Sequence, residues 1–185
     1  SFRQTKENIG ANIYNRAFNG NYTGGDGVAL CATDHPNTSG GTFANKPQVD
    51  ADLSEASLED ALIAIMGFQN DRGLLINVMP RSLIVARQNW YNANRILKSV
   101  YSPGTADNAI NAIVATNALP EGIVMNHYLT SPNAWFVRTN IQNGMKYYSR
   151  VGIQFDQDND FDTMNAKAKG YERYSFGWTD PRGIY

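Results

Sequence analysis

"DLSEASLEDALIAIMGFQNDRG", residues 52–73, runs directly into "LLINVMPRSLIVA", residues 74–86, and the hydrophobic period changes between them. In the first segment Leu58, Ala61, Leu62, Ile65 and Met66 recur at i, i+3, i+4, i+7 and i+8, the stripe of an amphipathic helix. Ser57 and Asp60 have capping-box spacing, and Glu59 and Asp60 suit the positive end of a helix dipole. Leu62 and Ile65 are therefore expected to face a core, and Gly73 to end the helical region. The second segment is dense in Leu, Ile and Val and reads as β structure, with Pro80 as a turn or edge break.

Upstream, "SFRQTKENIGANIYNRAFNG" (1–20) predicts another helix. Phe2, Ile9, Ile13 and Ala17 fall near one face, with Tyr14 and Phe18 beside it, and Gly20 stops it. It meets Ser1 with no N-cap, so its start is expected further upstream and the chain is expected to be a processed product or fragment. Residues 19–53 form a long stretch rich in Gly, Asn, Thr and Pro, broken by "VALCA"; loops of this length are usually functional or held by a partner. Downstream, "RQNWYNANRILKSVYSPG" (87–104) returns to helix, with Trp90, Ala93, Leu97 and Val100 in register and Pro103 and Gly104 closing it. "NAINAIV" (108–114) is ambiguous. "GIVMNHYL" (122–129) and "AWFVRT" (134–139) read as strands separated by the turn "TSPN". "MKYYSRVGIQF" (145–155) and "TMNAKAKGYERYSFGW" (163–178) follow, with Tyr174, Phe176 and Trp178 alternating onto one face. Helices and strands mix without a regular βαβ rhythm, which predicts an α+β fold.

A chain of 185 residues suffices for one domain burying roughly 70% of its unfolded surface. Sixteen Lys plus Arg against seventeen Asp plus Glu give a net charge of −1, which argues against a basic nucleic-acid clamp. One Cys excludes an internal disulfide framework and a cysteine-rich zinc site. No run approaches the ~18–20 apolar residues of a membrane span, and no signal peptide opens the chain.

The candidate chemistry sits first in "GDGVALCATDHPN" (25–37), which holds the single Cys and one of two His. Cys31 with His35 as base and Asp34 as orienting group would be a cysteine nucleophile. Cys31 lies inside the apolar run Val28–Ala32, however, where a buried inert thiol is the ordinary outcome, and His35 precedes Pro36 in a turn-like pair. A metal site on Cys31, His35 and His127 would lack a fourth ligand. "FDQDNDFDT" (155–163) opens like a calcium loop with Asp156, Asp158 and Asp160, but Phe161 stands at the glycine position and Lys167 at the bidentate position. A solvated acidic loop between strands is the reading taken. "YTGGDGVAL" (22–30) lacks the spacing of a phosphate-binding loop. Lys167 and Lys169 alternate along a strand and either face phosphate or keep an edge soluble. The aromatics of the last strands fit a core better than a sugar or base platform. No catalytic, cofactor or metal residue is assigned.

Taken together, "DGVALCATDHPNTSGGTFANKP" (26–47), "ADLSEASLEDALIAIMGFQNDRGLLINVMPRSLIVA" (51–86), "NAINAIVATNALPEGIVMNHYLTSPNAWFVRT" (108–139) and "YSFGWTDPRGIY" (174–185) resemble consecutive blocks of tailed-bacteriophage major capsid proteins. The Mu-like major head subunit family is the group most similar. Ala86 and Arg87 replace prolines common after "SLIVA", and Pro181 stands where an aromatic is common. The resemblance implies the Hong Kong ninety-seven capsid fold. Residues 1–20 would then end the spine helix of a peripheral domain, 21–165 would be mostly axial domain, and 166–185 would return towards the peripheral domain. The family's N-terminal arm and extended loop precede such a helix end and are absent from these residues.

The implied function is structural and not enzymatic: a major head protein whose pentamers and hexamers build an icosahedral shell around double-stranded DNA. Its implied place is the virion, after assembly in the host bacterial cytoplasm. Portal, scaffold and decoration proteins are the implied partners, with weak non-specific DNA contact, no membrane and no cofactor. The alternatives are an encapsulin-type nanocompartment shell and, in another class, a cysteine-dependent hydrolase using Cys31 and His35.

Overall fold

The computed structural model describes residues 1–101, 109–159, 162 and 164–185. Pro103 and Gly104, expected to close a helix, and Asp160 and Phe161 of the acidic run lie outside the described residues. Helices and strands are mixed, as the irregular alternation of patterns predicts.

A three-stranded sheet forms the centre. Strand β3 (Pro80–Ala86) lies between β4 (Ile123–Asn126), which runs parallel to it, and β5 (Trp135–Thr139), which runs antiparallel. Pro80 opens β3, where its missing N–H costs least. The two strands separated by "TSPN" do not pair with each other, because β3 sits between them. Both faces of β3 are covered, which explains its continuous apolar run. Leu83 and Val85 point to one core, with Val137 of β5. Ile84 points to a second core on the opposite face, with Phe136.

The first core is closed by three helices. In α2 (Glu55–Met66) Leu58, Ala61, Leu62 and Ile65 are buried, whereas Met66 is exposed, contrary to its place in the sequence stripe. The cap also differs from the Ser57–Asp60 expectation. Ser54 is the N-cap: its Oγ accepts from the Ser57 N–H at 3.1 Å, and the Ser57 Oγ accepts from the Ser54 N–H at 2.9 Å. This reciprocal pair starts the helix one turn early, leaving Asp60 inside it. Helix α3 (Trp90–Lys98), entered through a 3-10 turn at Arg87–Asn89, buries Ala93 and Ile96. Val100, expected in register, lies beyond the helix and is exposed. The described part of "NAINAIV", residues 109–114, leads into a short helix α4 (Ala112–Ala115), capped by buried Asn111, whose Nδ2 donates to the Ile96 carbonyl at 2.6 Å. Leu62→Ala is expected to cost about 2–3 kcal/mol by emptying part of this core, and Glu59→Ala well under 1 kcal/mol. Equal shifts of the urea midpoint would show that α2 presents another face.

Between the helix α1 (Phe2–Asn15) and α2 the chain forms a two-residue ladder, β1 (His35–Pro36) with β2 (Thr42–Phe43), and an isolated antiparallel bridge between Thr23 and Ala29. Yet Ala29, Leu30, Cys31 and Leu53 of this stretch are buried. In α1 Ala11 is the buried residue, while Phe2 and Ile9, placed on the apolar face by period, are exposed. The helix packs against a long antiparallel ribbon, β6 (Met145–Asn159) with β7 (Ala166–Trp178). Gly10 permits this approach, since a Cβ there would meet the Phe176 ring at 3.3 Å. Glu172, Tyr174, Phe176 and Trp178 alternate as the half-buried face, and Lys6 of α1 pairs with Glu172.

Residues after β7 return to the centre. Pro181–Gly183 make a 3-10 turn, Ile184 is buried in the second core, and Val137 and Tyr185 exchange two backbone hydrogen bonds of 2.8 and 2.9 Å. Gly144 and Gly183 touch backbone to backbone, so that a Cβ on either would fall within 2.7 Å of the other's Cα.

Candidate functional site

The stretch 25–37 forms a buried polar clasp. Cys31 is 3% exposed and packs among Ala17, Leu30, Ile84 and Phe136. Burial pushes its thiol from 9.0 up to about 12, because the thiolate would lose its hydration there. Folding therefore disfavours ionisation, and this residue's contribution to stability falls as pH rises from 9.0 towards about 12. In the folded protein at pH 8, disulfide-exchange reagents are expected to label Cys31 only as fast as the structure opens. Labelling at the rate of a free thiol would refute its burial.

His35 is fully buried, and both ring nitrogens are engaged away from Cys31. Nδ1 lies 2.6 Å from Asp26 Oδ2, an ion pair when the ring is protonated. Nε2 lies 3.0 Å from Asn45 Oδ1. The orientation of Asn45 fixes the direction of that bond. Its Oδ1 also accepts from the Ala32 N–H at 2.9 Å, and its Nδ2 donates to the carbonyls of Leu30 and Pro181 at 2.7 and 2.8 Å. His35 Nε2 must therefore donate. Asp34 is exposed and is not the partner of the imidazole; Asp26 is. His127 is also exposed, and no group of His, Cys, Asp and Glu among the described residues could hold a metal ion.

Phe43 stacks on His35 at 4.9 Å, and the Arg182 guanidinium covers the other part of this layer, 3.9 Å from the Phe43 centroid. Arg182 donates from Nε to the Gln69 carbonyl at 2.8 Å and pairs with Asp71 at 2.8 Å and Asp180 at 3.4 Å. The arrangement ties three distant segments together: the long loop, the turn after α2 and the 3-10 turn at 181–183. It offers no accessible nucleophile and works as a brace. Sequence reading missed Asn45 and Arg182, because no local spacing marks a side chain whose partners are far along the chain.

The acidic run is strand, not loop, as far as Asn159. Asp156 stands opposite Lys169 and Asp158 opposite Lys167 in the ladder, and Asp156 reaches Lys169 at 3.0 Å. Opposite charges across an antiparallel pair favour this register by about 0.2–1 kcal/mol each, which carries the ribbon through a sequence that looks like a loop. The two lysines thus face carboxylates.

The surface is more suggestive than the interior. The ribbon pairs with no third strand among the described residues, and its outer half carries exposed Ile153, Phe155 and Tyr171. Phe155, 71% exposed, meets Phe2 edge to face at 6.0 Å. Exposed strand edges and apolar side chains of this kind are open to pairing and packing with another chain. No helix among the described residues is long and apolar enough to cross a membrane.

A family model described as "Phage capsid protein" matches residues 1–185. No curated protein matches the chain. Among solved structures, the chain is similar to the crystal structure of a virus-like particle from Pyrococcus furiosus, at 10% identity and a TM-score of 0.44. That similarity covers 75% of this chain and 53% of the other, so the chain spans about half the length of that protein.

Proposed function

The chain belongs to the phage capsid protein family over its whole length, and from this premise we propose that it is the major head subunit of a tailed phage, copies of which close an icosahedral shell around double-stranded DNA. A capsid protein is a structural component of a virion, and the family match across residues 1–185 is the observation that carries the reading. In this reading α1 is the end of a spine helix in a peripheral domain, residues 21–165 are mostly axial domain, and 166–185 return towards the periphery.

The physical features agree with that role. Polar groups of the clasp are satisfied within the subunit, so the long loop is braced before any neighbour arrives. The ribbon and several apolar side chains remain on the surface for contact with other copies. Heterologous contacts around five- and six-fold axes close a shell, and many weak contacts add up to a stable one. A net charge of −1 suits a wall that must not hold DNA while it is packaged. Portal, scaffold and decoration proteins are the partners of such a subunit, and the host bacterial cytoplasm is where it assembles.

The test is to express the full-length chain with its scaffold in bacteria, purify particles by sedimentation, image them, and identify their contents from phage-producing cells. Uniform closed shells holding nuclease-protected double-stranded DNA are expected. Shells filled with one folded protein and no DNA would make it an encapsulin-type compartment. The absence of any shell would overturn the reading.

A further inference from the structure

Two surface features carry exposed apolar side chains that belong to neither core, Leu74 and Leu75 in one and Ile63, Met66 and Met79 in the other. One is a knob. After α2 the chain turns at 70–73, where the Asn70 Oδ1 accepts from the N–H groups of Arg72 and Leu74 at 2.9 and 3.0 Å. Gly73 adopts φ +77°, a left-handed conformation that favours glycine, and Gln69 bridges Leu75. This braced turn displays Leu74 and Leu75, 63% and 72% exposed, with Arg72 beside them. The other feature is a groove of about 570 Å³ between α2, the start of β3 and the segment after α4. Ile63, Met66 and Met79 are exposed in it, with Glu59 on the α2 wall and Arg81 on the β3 wall.

We propose that the knob of one copy seats in the groove of the next copy, with Arg72 against Glu59. The inference rests on the reading that copies of this chain pack side by side, and it names a contact they use. Charge complementarity selects the occupant. Among the described residues neither Arg72 nor Glu59 has an ion-pair partner, whereas Asp71 beside Arg72 is taken by Arg182. Arg81 on the far wall repels Arg72, which orients the knob with its guanidinium towards α2. The contact proposed is head to tail: each copy gives its knob to one neighbour and takes the knob of another in its groove. Such a head-to-tail contact closes rings instead of isolated dimers. Met66 and Met79 line the groove with adaptable side chains, which suits a contact repeated at slightly different angles in five- and six-membered rings.

The test uses the full-length chain. Arg72→Glu and Glu59→Arg each bring like charges together across the contact and are expected to lower the yield of particles at least about tenfold. Thermal melting of the unassembled subunit should stay unchanged. Combining the two changes should restore assembly. Single variants that assemble like the parent, or a double variant no better than the worse single, would overturn the proposal.

A second measurement does not need closed shells. Chains with Leu75→Cys are mixed with chains with Ile63→Cys under mild oxidation, and mixed dimers are counted on non-reducing gels. Val49→Cys, at an exposed position outside the groove, replaces Ile63→Cys as the control. Cross-linking well above the control is expected, and cross-linking equal to it refutes the contact. If the parent chain forms no shell, the head-subunit reading fails while this measurement still decides the contact.

Discussion

Replacing Asn45 with alanine is expected to lower the stability of the subunit by about 4–5 kcal/mol, although the change removes only a small, uncharged side chain. Asn45 is fully buried, and its amide serves both sides of the clasp. Its loss leaves the Ala32 N–H and the His35 Nε2–H without their acceptor and the Leu30 carbonyl without its donor, while the Pro181 carbonyl keeps only the Ile184 N–H at 3.3 Å. A buried group left unsatisfied costs about 1–3 kcal/mol, and partial entry of water relieves some of the sum. Asn45→Asp separates hydrogen bonding from packing. It keeps an oxygen towards Ala32 and His35 but turns a second one towards two carbonyls, so it should be almost as damaging as alanine. Urea unfolding followed by circular dichroism checks both. A loss below about 1 kcal/mol for either would mean that the clasp is not what braces residues 19–53.

Phe136→Ala should cost about 3–5 kcal/mol, the range for emptying a buried aromatic site. The ring is 1% exposed and sits where α1 meets the sheet, 5.4 Å from the Tyr14 ring and 5.7 Å from the Phe18 ring, with Phe18 nearly parallel to it. Its neighbours in the second core come from the segment after α1, the long loop, β3 and the residues after β7. The loss should therefore be felt beyond the sheet. Hydrogen exchange in α1 should accelerate more than in α2, which belongs to the other core. Equal acceleration in both helices would mean that the two cores respond as one.

What could be read in the sequence follows from how locally each feature is encoded. The stripe of α2 apart from Met66, the buried run of β3 and the alternation of Tyr174, Phe176 and Trp178 depend on neighbours a few residues apart, and all three stand in the structure. The burial of Cys31 was legible for the same reason, from the apolar residues around it. Pairing was not. "TSPN" is a good turn, yet the strands on either side of it are separated by β3, a choice set by tertiary packing. The acidic run reads as a loop because the lysines that neutralise it lie on the far strand. The early start of α2 was hidden because Ser57 takes the capping role usually held by Glu or Gln. Within the clasp, Asp34 was the nearest acid in sequence to His35, but the backbone places Asp26 against the ring instead. Asn45 and Arg182 had no local signal, since their value lies in partners brought close only by the finished fold.

The return of residues 181–185 to the centre bears on the birth of the molecule. Pro181 supplies a carbonyl to Asn45, Arg182 ties down Gln69 and Asp71, Ile184 fills the second core, and Tyr185 zips onto Val137. A nascent chain that has emerged only as far as β7 has none of these. Its first third cannot settle until the 181–185 segment clears the ribosomal exit tunnel, because contacts of such long sequence separation form late. Synthesis thereby acts as a timer. The long loop between α1 and α2 gains its brace only after residues 181–185 have followed the whole ribbon out of the tunnel.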